Sequence, residues 1–241
     1  MTVVYERAAL IFDSEAHALG DLSLLLISLG LRPLYTTDLD ELVLLSREYR
    51  SQVGALLLPA TELAARLPAL RKRVLQPLAL PVASVVAVGD PTPAESEALR
   101  AEGLRLCLRV PYQAHELRHV VARVLSDTDP SELRRDPRVP CELAVDVELD
   151  GRRRRGRLAD LSVRGAFVAL MGPPAPSTLV VLHFTLLERE CAVAARVVWR
   201  TGPNTASWRD FGMGLEFVAV EPELHQLLGR FVAEQVKRFE L

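Results

Sequence analysis

The sequence predicts two domains of different class: a doubly wound α/β domain, then a small antiparallel β-barrel closed by a helix. Three observations carry this reading. Residues 7–126 alternate short apolar runs with helically spaced segments, five β-α units in all, as a parallel sheet with helices on both faces requires. From Val139 onward the apolar residues instead recur at every second position in short runs parted by turn residues, the signature of half-buried antiparallel strands. Between the two, Ser126-Asp127-Thr128-Asp129-Pro130-Ser131 is small, polar and Pro-bearing, a linker composition. The domain boundaries expected are 1–126, a linker arm at 127–138, and 139–241.

Length and composition agree. A chain of 241 residues, 49% hydrophobic and 25% charged, holds material for two cores. The formal charge of −2 is near neutral, and the chain after Asp127 has 16 basic and 16 acidic residues. Sequence-independent binding to a nucleic acid backbone needs a bulk positive charge that neither half has. No basic-then-apolar leader opens the sequence, and Leu22 to Leu31 is too short to span a bilayer. Cys107, Cys141 and Cys191 are odd in number and widely spaced, against a disulfide framework or a CxxC metal site. A cytoplasmic protein with reduced, buried thiols is expected.

In the first half, Ala8 to Phe12 reads as a strand and Glu15 to Leu29 as a helix stopped at Gly30. Arg32 to Thr36 is the next strand, and Asp38 caps a helix reaching Tyr49. Val53 to Leu58 is continuously apolar, as a strand covered on both faces should be. A helix over Thr61 to Leu75, a strand over Val82 to Val88, and a helix opened by Thr92 or Pro93 and ended at Gly103 follow. Leu104 to Arg109 is the fifth strand and Ala114 to Leu125 the last helix. His115 and His119 share one helix face without an evident third ligand, so packed or surface histidines are expected.

Val110-Pro111-Tyr112 falls where receiver domains of two-component response regulators have Lys-Pro-Phe, and Asp13 and Glu15 match their acidic pair. This half therefore resembles a receiver domain. The resemblance implies a phosphoacceptor Asp at the end of the third strand, where this chain has Leu57-Leu58-Pro59, and a Lys where it has Val110. The Ser/Thr position falls on Val88 or Gly89. Phosphoryl transfer needs a carboxylate nucleophile, an acidic metal cluster and a cation over the developing charge. Leu, Pro and Val supply none of them. The expectation is a pseudo-receiver used for docking, with Asp13 and Glu15 placed favourably at a helix N-terminus.

In the second half, Val139, Cys141, Leu143, Val145, Val147 and Leu149 mark one strand face. Asp150-Gly151 is a favoured pair for a two-residue hairpin turn, and Arg152 to Leu161 returns. The four arginines from Arg152 to Arg155 read as a solvated edge. Further strands are expected at Gly165 to Leu170, Thr178 to Thr185, Cys191 to Arg200 and Phe211 to Val218. A loop runs from Met171 to Pro176. Pro222 opens an amphipathic helix to about Arg238. Trp199 and Trp208 are expected in core and loop, not as stacking platforms.

Four motifs occur in order here: Arg134-x-x-x-Arg138, Asp160-x-Ser162-x-x-Gly165, Val197-x-Trp199 and Gly212-x-Gly214-Leu215-x-Phe217. On them, residues 133–240 resemble a PilZ domain, the bacterial receptor module for cyclic di-GMP. The resemblance implies that Arg134 and Arg138, assisted by Arg135, grip phosphate and guanine, with Asp160, Ser162 and Gly165 on the barrel side.

The residue chemistry agrees with that. Cyclic di-GMP has two phosphates and two guanines. The planar arginine fork suits phosphate and the O6/N7 edge of guanine, and its flat face stacks on a base. Asp160 is an acceptor for the N1 and N2 donors of guanine, Ser162 is a small polar partner, and Gly165 admits close backbone. No cofactor, metal or catalytic set is implied, so no enzyme is expected. The function expected is a cyclic di-GMP effector in which the ligand orders the arm. It would act through a protein partner, by way of the pseudo-receiver, on motility, polarity or exopolysaccharide. The alternative is a PilZ-like adaptor that binds no nucleotide. A nucleic-acid binder built on Arg152 to Arg157 is disfavoured by the balanced charge and the lack of interleaved aromatics.

Overall fold

The computed structural model describes residues 7–14, 19–125, 137–201 and 211–241. They fall into two compact units: residues 1–130 together with 238–241, and residues 131–237.

The first unit is a five-stranded parallel sheet in the order β2-β1-β3-β4-β5, the arrangement of flavodoxin-like doubly wound folds. Its strands are β1 (Ala8–Phe12), β2 (Arg32–Thr36), β3 (Val53–Pro59), β4 (Val85–Val88) and β5 (Leu106–Leu108). Every residue of β1, β4 and β5 is buried, which is why these stretches are apolar without alternation.

The helices are fixed at their starts by side-chain chemistry. The Leu19 amide, just before α1 (Gly20–Ser28), donates to Asp13 Oδ2 at 2.9 Å. Asp38 accepts from the Glu41 amide at 2.8 Å to open α2 (Leu39–Glu48). The helix α3 (Ala60–Leu70) runs on through a π turn, Arg71–Leu75, into the short α4 (Gln76–Leu78). At α5 (Pro93–Ala101), Thr92 and Glu95 form a reciprocal capping box. The last helix of the first unit is α6 (Ala114–Leu125).

One expectation is corrected. Val82–Ser84 is a 3-10 turn, and the strand begins only at Val85. The turn closes with the Ser84 amide donating to the Pro81 carbonyl at 2.9 Å, so the chain cannot extend until the turn is complete.

The second unit is a closed six-stranded antiparallel barrel, β10-β11-β8-β7-β6-β9. Its strands are β6 (Val139–Leu149), β7 (Arg152–Leu161), β8 (Gly165–Ala169), β9 (Leu179–Leu186), β10 (Arg189–Arg200) and β11 (Gly212–Ala219). The hairpin turn between β6 and β7 has φ of 50° at Asp150 and 72° at Gly151, as two-residue turns that follow strand twist require. A second turn of this kind, at Leu187 and Glu188 with φ of 49° and 64°, joins β9 to β10. Inward residues of all six strands meet Leu227, Leu228, Phe231 and Val232 of α7 (Pro222–Phe239) in one core. No helix among the described residues is long and apolar enough to cross a membrane.

Candidate functional site

The antiparallel register carries one row of residues across five strands. Pro140 pairs with Asp160, Asp160 with Phe167, Phe167 with Gly214, and Gly214 with Trp199. Ala166 and Val168, on either side of Phe167, lie in the barrel core. Phe167 therefore stands on the outer face, and the row crosses the outside of the barrel.

Arg138 immediately precedes β6, beside the end of β7. Its Nη1 lies 3.4 Å from Asp160 Oδ1, and both side chains are partly buried. A tight charge-assisted bond would be about 2.7–2.9 Å, so this pair is loose. Arg138 and Asp160, 22 positions apart, are thus brought together. Arg134 and Arg135 lie outside the described residues.

Ser162 and Gly165 form the turn from β7 to β8. The Ser162 amide and hydroxyl both donate to the Gly165 carbonyl, at 2.8 and 3.0 Å. Ser162 is buried, so its hydroxyl proton serves the turn. A Cβ on Gly165 would come within 2.2 Å of the Leu215 carbonyl oxygen. Only a residue without a side chain lets β8 and β11 approach this closely. The neighbouring Phe217 amide donates to the Arg164 carbonyl at 2.9 Å.

Two rings extend the row. Trp199 stacks on Phe167 with centroids 5.4 Å apart and planes inclined by 20°. Trp199 is 41% exposed, which corrects its expected place in the core. The reason is a register shift between Val197 and Trp199. Strict alternation would put both on one face, but the bulge turns Trp199 out while Val197 stays in the core.

Gly212 and Gly214 are the floor beneath these rings. A Cβ on Gly214 would lie 2.2 Å from Trp199 Nε1, and one on Gly212 would lie 2.8 Å from Phe167 Cζ. The signal that could have found the platform was the Gly-x-Gly strand set opposite Val-x-Trp. A loosely paired arginine, a carboxylate and an exposed indole on one outer strip can hold an anion and stack a flat base.

The surrounding groups are structural. Burial, and after it the Asp160 charge, pushes the Cys141 thiol far above its ordinary range. Arg153 donates to Glu148 at 3.0 Å, Arg157 pairs with Glu142, and Arg154 donates to the Met171 and Gly172 carbonyls. The arginine-rich strand is thus a solvated, partly neutralised edge.

In the first unit, the ends of β3 and β4 carry Leu58-Pro59 and Val88, with no carboxylate or hydroxyl there. Asp13 is buried and accepts from the Leu19 amide and, at 3.2 Å, from the Tyr35 hydroxyl. It fastens a helix start, as expected. Glu15 lies outside the described residues. Glu62 takes hydrogen bonds from Ser14 and Arg66. His119 packs on the Phe239 ring at 5.1 Å. Among the described residues no group of three His, Cys, Asp or Glu is placed to hold a metal ion.

The family comparison bears on the barrel. A family model described as PilZ domain matches residues 132–234. No curated protein matches the chain. Among solved structures, the inhibitor of motility MotI/DgrA of Bacillus subtilis is similar at 21% identity. That match covers 42% of this chain and 50% of the other, with a TM-score of 0.37. The chain therefore spans about half the length of that protein. The PilZ domain of YcgR from Escherichia coli, solved with c-di-GMP, is 16% identical over 43% of this chain and 92% of the other, at a TM-score of 0.36. A structure described as a pilus assembly protein (cpaE) from Burkholderia thailandensis is 21% identical over 50% of this chain and 99% of the other, at 0.39.

Proposed function

We propose that this chain, whose residues 132–234 match the PilZ domain model, is a cytoplasmic receptor for cyclic di-GMP that acts by protein contact and performs no catalysis. One observation carries the reading. Arg138 and Asp160 meet on the outer barrel face, in register with the Trp199–Phe167 pair, whose indole is exposed. Arg138 offers its fork to a phosphate or to the guanine edge, Asp160 accepts from guanine N1 and N2, and Trp199 gives a base a flat surface. Arg134 and Arg135 add charge from the arm. Ser162 and Gly165 act by shaping the turn that aims Asp160.

The arm at 127–138 is also the first of the chain's two passages between its units. Ligand that orders the arm alters that passage, and the output is a changed protein contact of the pseudo-receiver. The processes expected downstream are motility, polarity or exopolysaccharide production. One observation favours a second reading, an adaptor without nucleotide. Asp160 is already paired with Arg138, and the Ser162 proton is already used in the turn.

Calorimetric titration with cyclic di-GMP separates the two. A charge-assisted contact contributes about 1.5–3 kcal/mol, so Arg138→Ala is expected to weaken binding by roughly 10- to 150-fold. Absence of heat at tens of micromolar ligand removes the receptor reading and leaves the adaptor, whereas equal binding by the variant removes Arg138 from the site.

A further inference from the structure

The first unit is completed by four residues from the far end of the chain, Arg238 to Leu241. β5 is the last strand of its sheet and only three residues long. Glu240 bridges Leu106 in antiparallel sense. The Leu241 amide donates to the Arg105 carbonyl at 3.2 Å, and Arg100 Nε donates to the Leu241 carbonyl. Phe239 and Leu241 are both 2% exposed. Phe239 is the last residue of α7, and the bridged Glu240 separates it from Leu241. The Phe239 ring meets His119, and Leu241 enters the core of the sheet. Arg238 pairs at 2.9 Å with the buried carboxylate of Glu116, and Glu240 at 3.7 Å with Arg123.

Over Glu240 and Leu241 the contact resembles peptide recognition by strand addition: main-chain bonds to an edge, a buried ring and a buried leucine on either side of the bridged residue, and flanking charges that set the direction. The segment is held by one bridge and not by a continuous ladder, and its own ion-pairing side chains, Arg238 and Glu240, are half-exposed. Short segments so held open locally without unfolding their domain.

We infer that the outer edge of β5, between α5 and α6, is a peptide-docking seat that the chain fills with its own residues 238–241. A partner segment of the same chemistry takes the seat when this strap lifts: a basic residue, an aromatic, an acidic residue and a branched aliphatic. Glu116 reads the base, His119 the ring, Arg123 the acid, and the sheet core the aliphatic. The inference does not depend on nucleotide binding.

The probe is a fluorescent peptide spanning residues 232–241, followed by anisotropy against two full-length chains. One is unaltered, and the other carries Phe239→Ala with Leu241→Ala. The double variant is expected to bind the peptide at least tenfold more tightly than the unaltered chain, whose own strap competes at high effective concentration. A peptide lacking both anchors is expected to bind neither. Equal binding by the two chains, or none by a double variant of native circular dichroism, overturns the inference. Hydrogen exchange on the unaltered chain tests it without substitution. The Leu241 amide is expected to exchange at least a hundredfold faster than those of Leu56 and Val86. Exchange as slow as theirs, or a double variant that has lost its fold, makes the segment an integral part of the sheet and overturns the proposal.

Discussion

Replacing Gly165 by alanine tests the geometry of the β7–β8 turn directly. The added Cβ would stand 2.2 Å from the Leu215 carbonyl oxygen. Carbon–oxygen contacts settle near 3.3 Å, so β8 and β11 would have to part by roughly 1 Å. The Phe217 amide bond to Arg164, now 2.9 Å, would then stretch past the hydrogen-bonding range. Overpacking of this kind costs about 1–3 kcal/mol and a lost backbone bond about 1 kcal/mol more, some 2–4 kcal/mol together. For a domain of about 100 residues, 1 kcal/mol lowers Tm by about 4–8 °C. The barrel should therefore melt at least about 8 °C lower. Both tryptophans, Trp199 and Trp208, belong to the barrel unit, so indole fluorescence follows its transition alone. A Gly165→Ala barrel melting within about 2 °C of the parent would refute the reasoning, because it would mean the strands part without penalty.

Other expectations follow from the same structure. Gly214→Ala puts a Cβ 2.2 Å from Trp199 Nε1, so the indole should swing off Phe167 and its emission shift to the red; an unchanged spectrum would contradict the stacked floor. Thr92→Ala removes the capping box and should cost about 1 kcal/mol. The loss should appear in the urea midpoint read from the four tyrosines, all in residues 1–130, and should leave the tryptophan transition in place. Burial raises the Cys107 thiol from 9.0 to about 11. From pH 9 to 11 the folded form keeps a proton that the unfolded form releases, so stability falls as pH rises through that window. Cys107→Ala should lose less stability over the same interval in tyrosine-monitored unfolding, and an identical decline would exclude the thiol as a source.

The elements that local chemistry determines were legible in the sequence. Asp150-Gly151 defined a hairpin whose positive φ values are as expected, and Thr92-Pro93 opened α5 with its cap in place. The period-two runs gave six strands, and the barrel closes with all six. What escaped depends on partners distant in sequence. Val82–Ser84 is as apolar as a strand, yet a turn bond from Ser84 to Pro81 holds it. Trp199 shares its alternation with Val197, and a bulge facing Gly214 reverses it. Within the site, Arg138 and Asp160 were foreseen as neighbours, whereas the ring pair beside them rests on two glycines whose purpose appears only in register. The anchoring of residues 238–241 in the first unit has no local signal, because an aromatic and a leucine at a helix end look alike wherever they dock.

Residues 238–241 also determine how the protein can be dissected. The first unit is written in two instalments, with the whole barrel between them. A fragment ending at residue 130 would lack Leu241 from its core and Glu240 from its outer strand, and it would present a bare edge that the intact chain covers. Self-association or promiscuous capture by such a fragment would report the cut. Binding studies on the first unit therefore call for supplying the missing instalment, fused or added in trans.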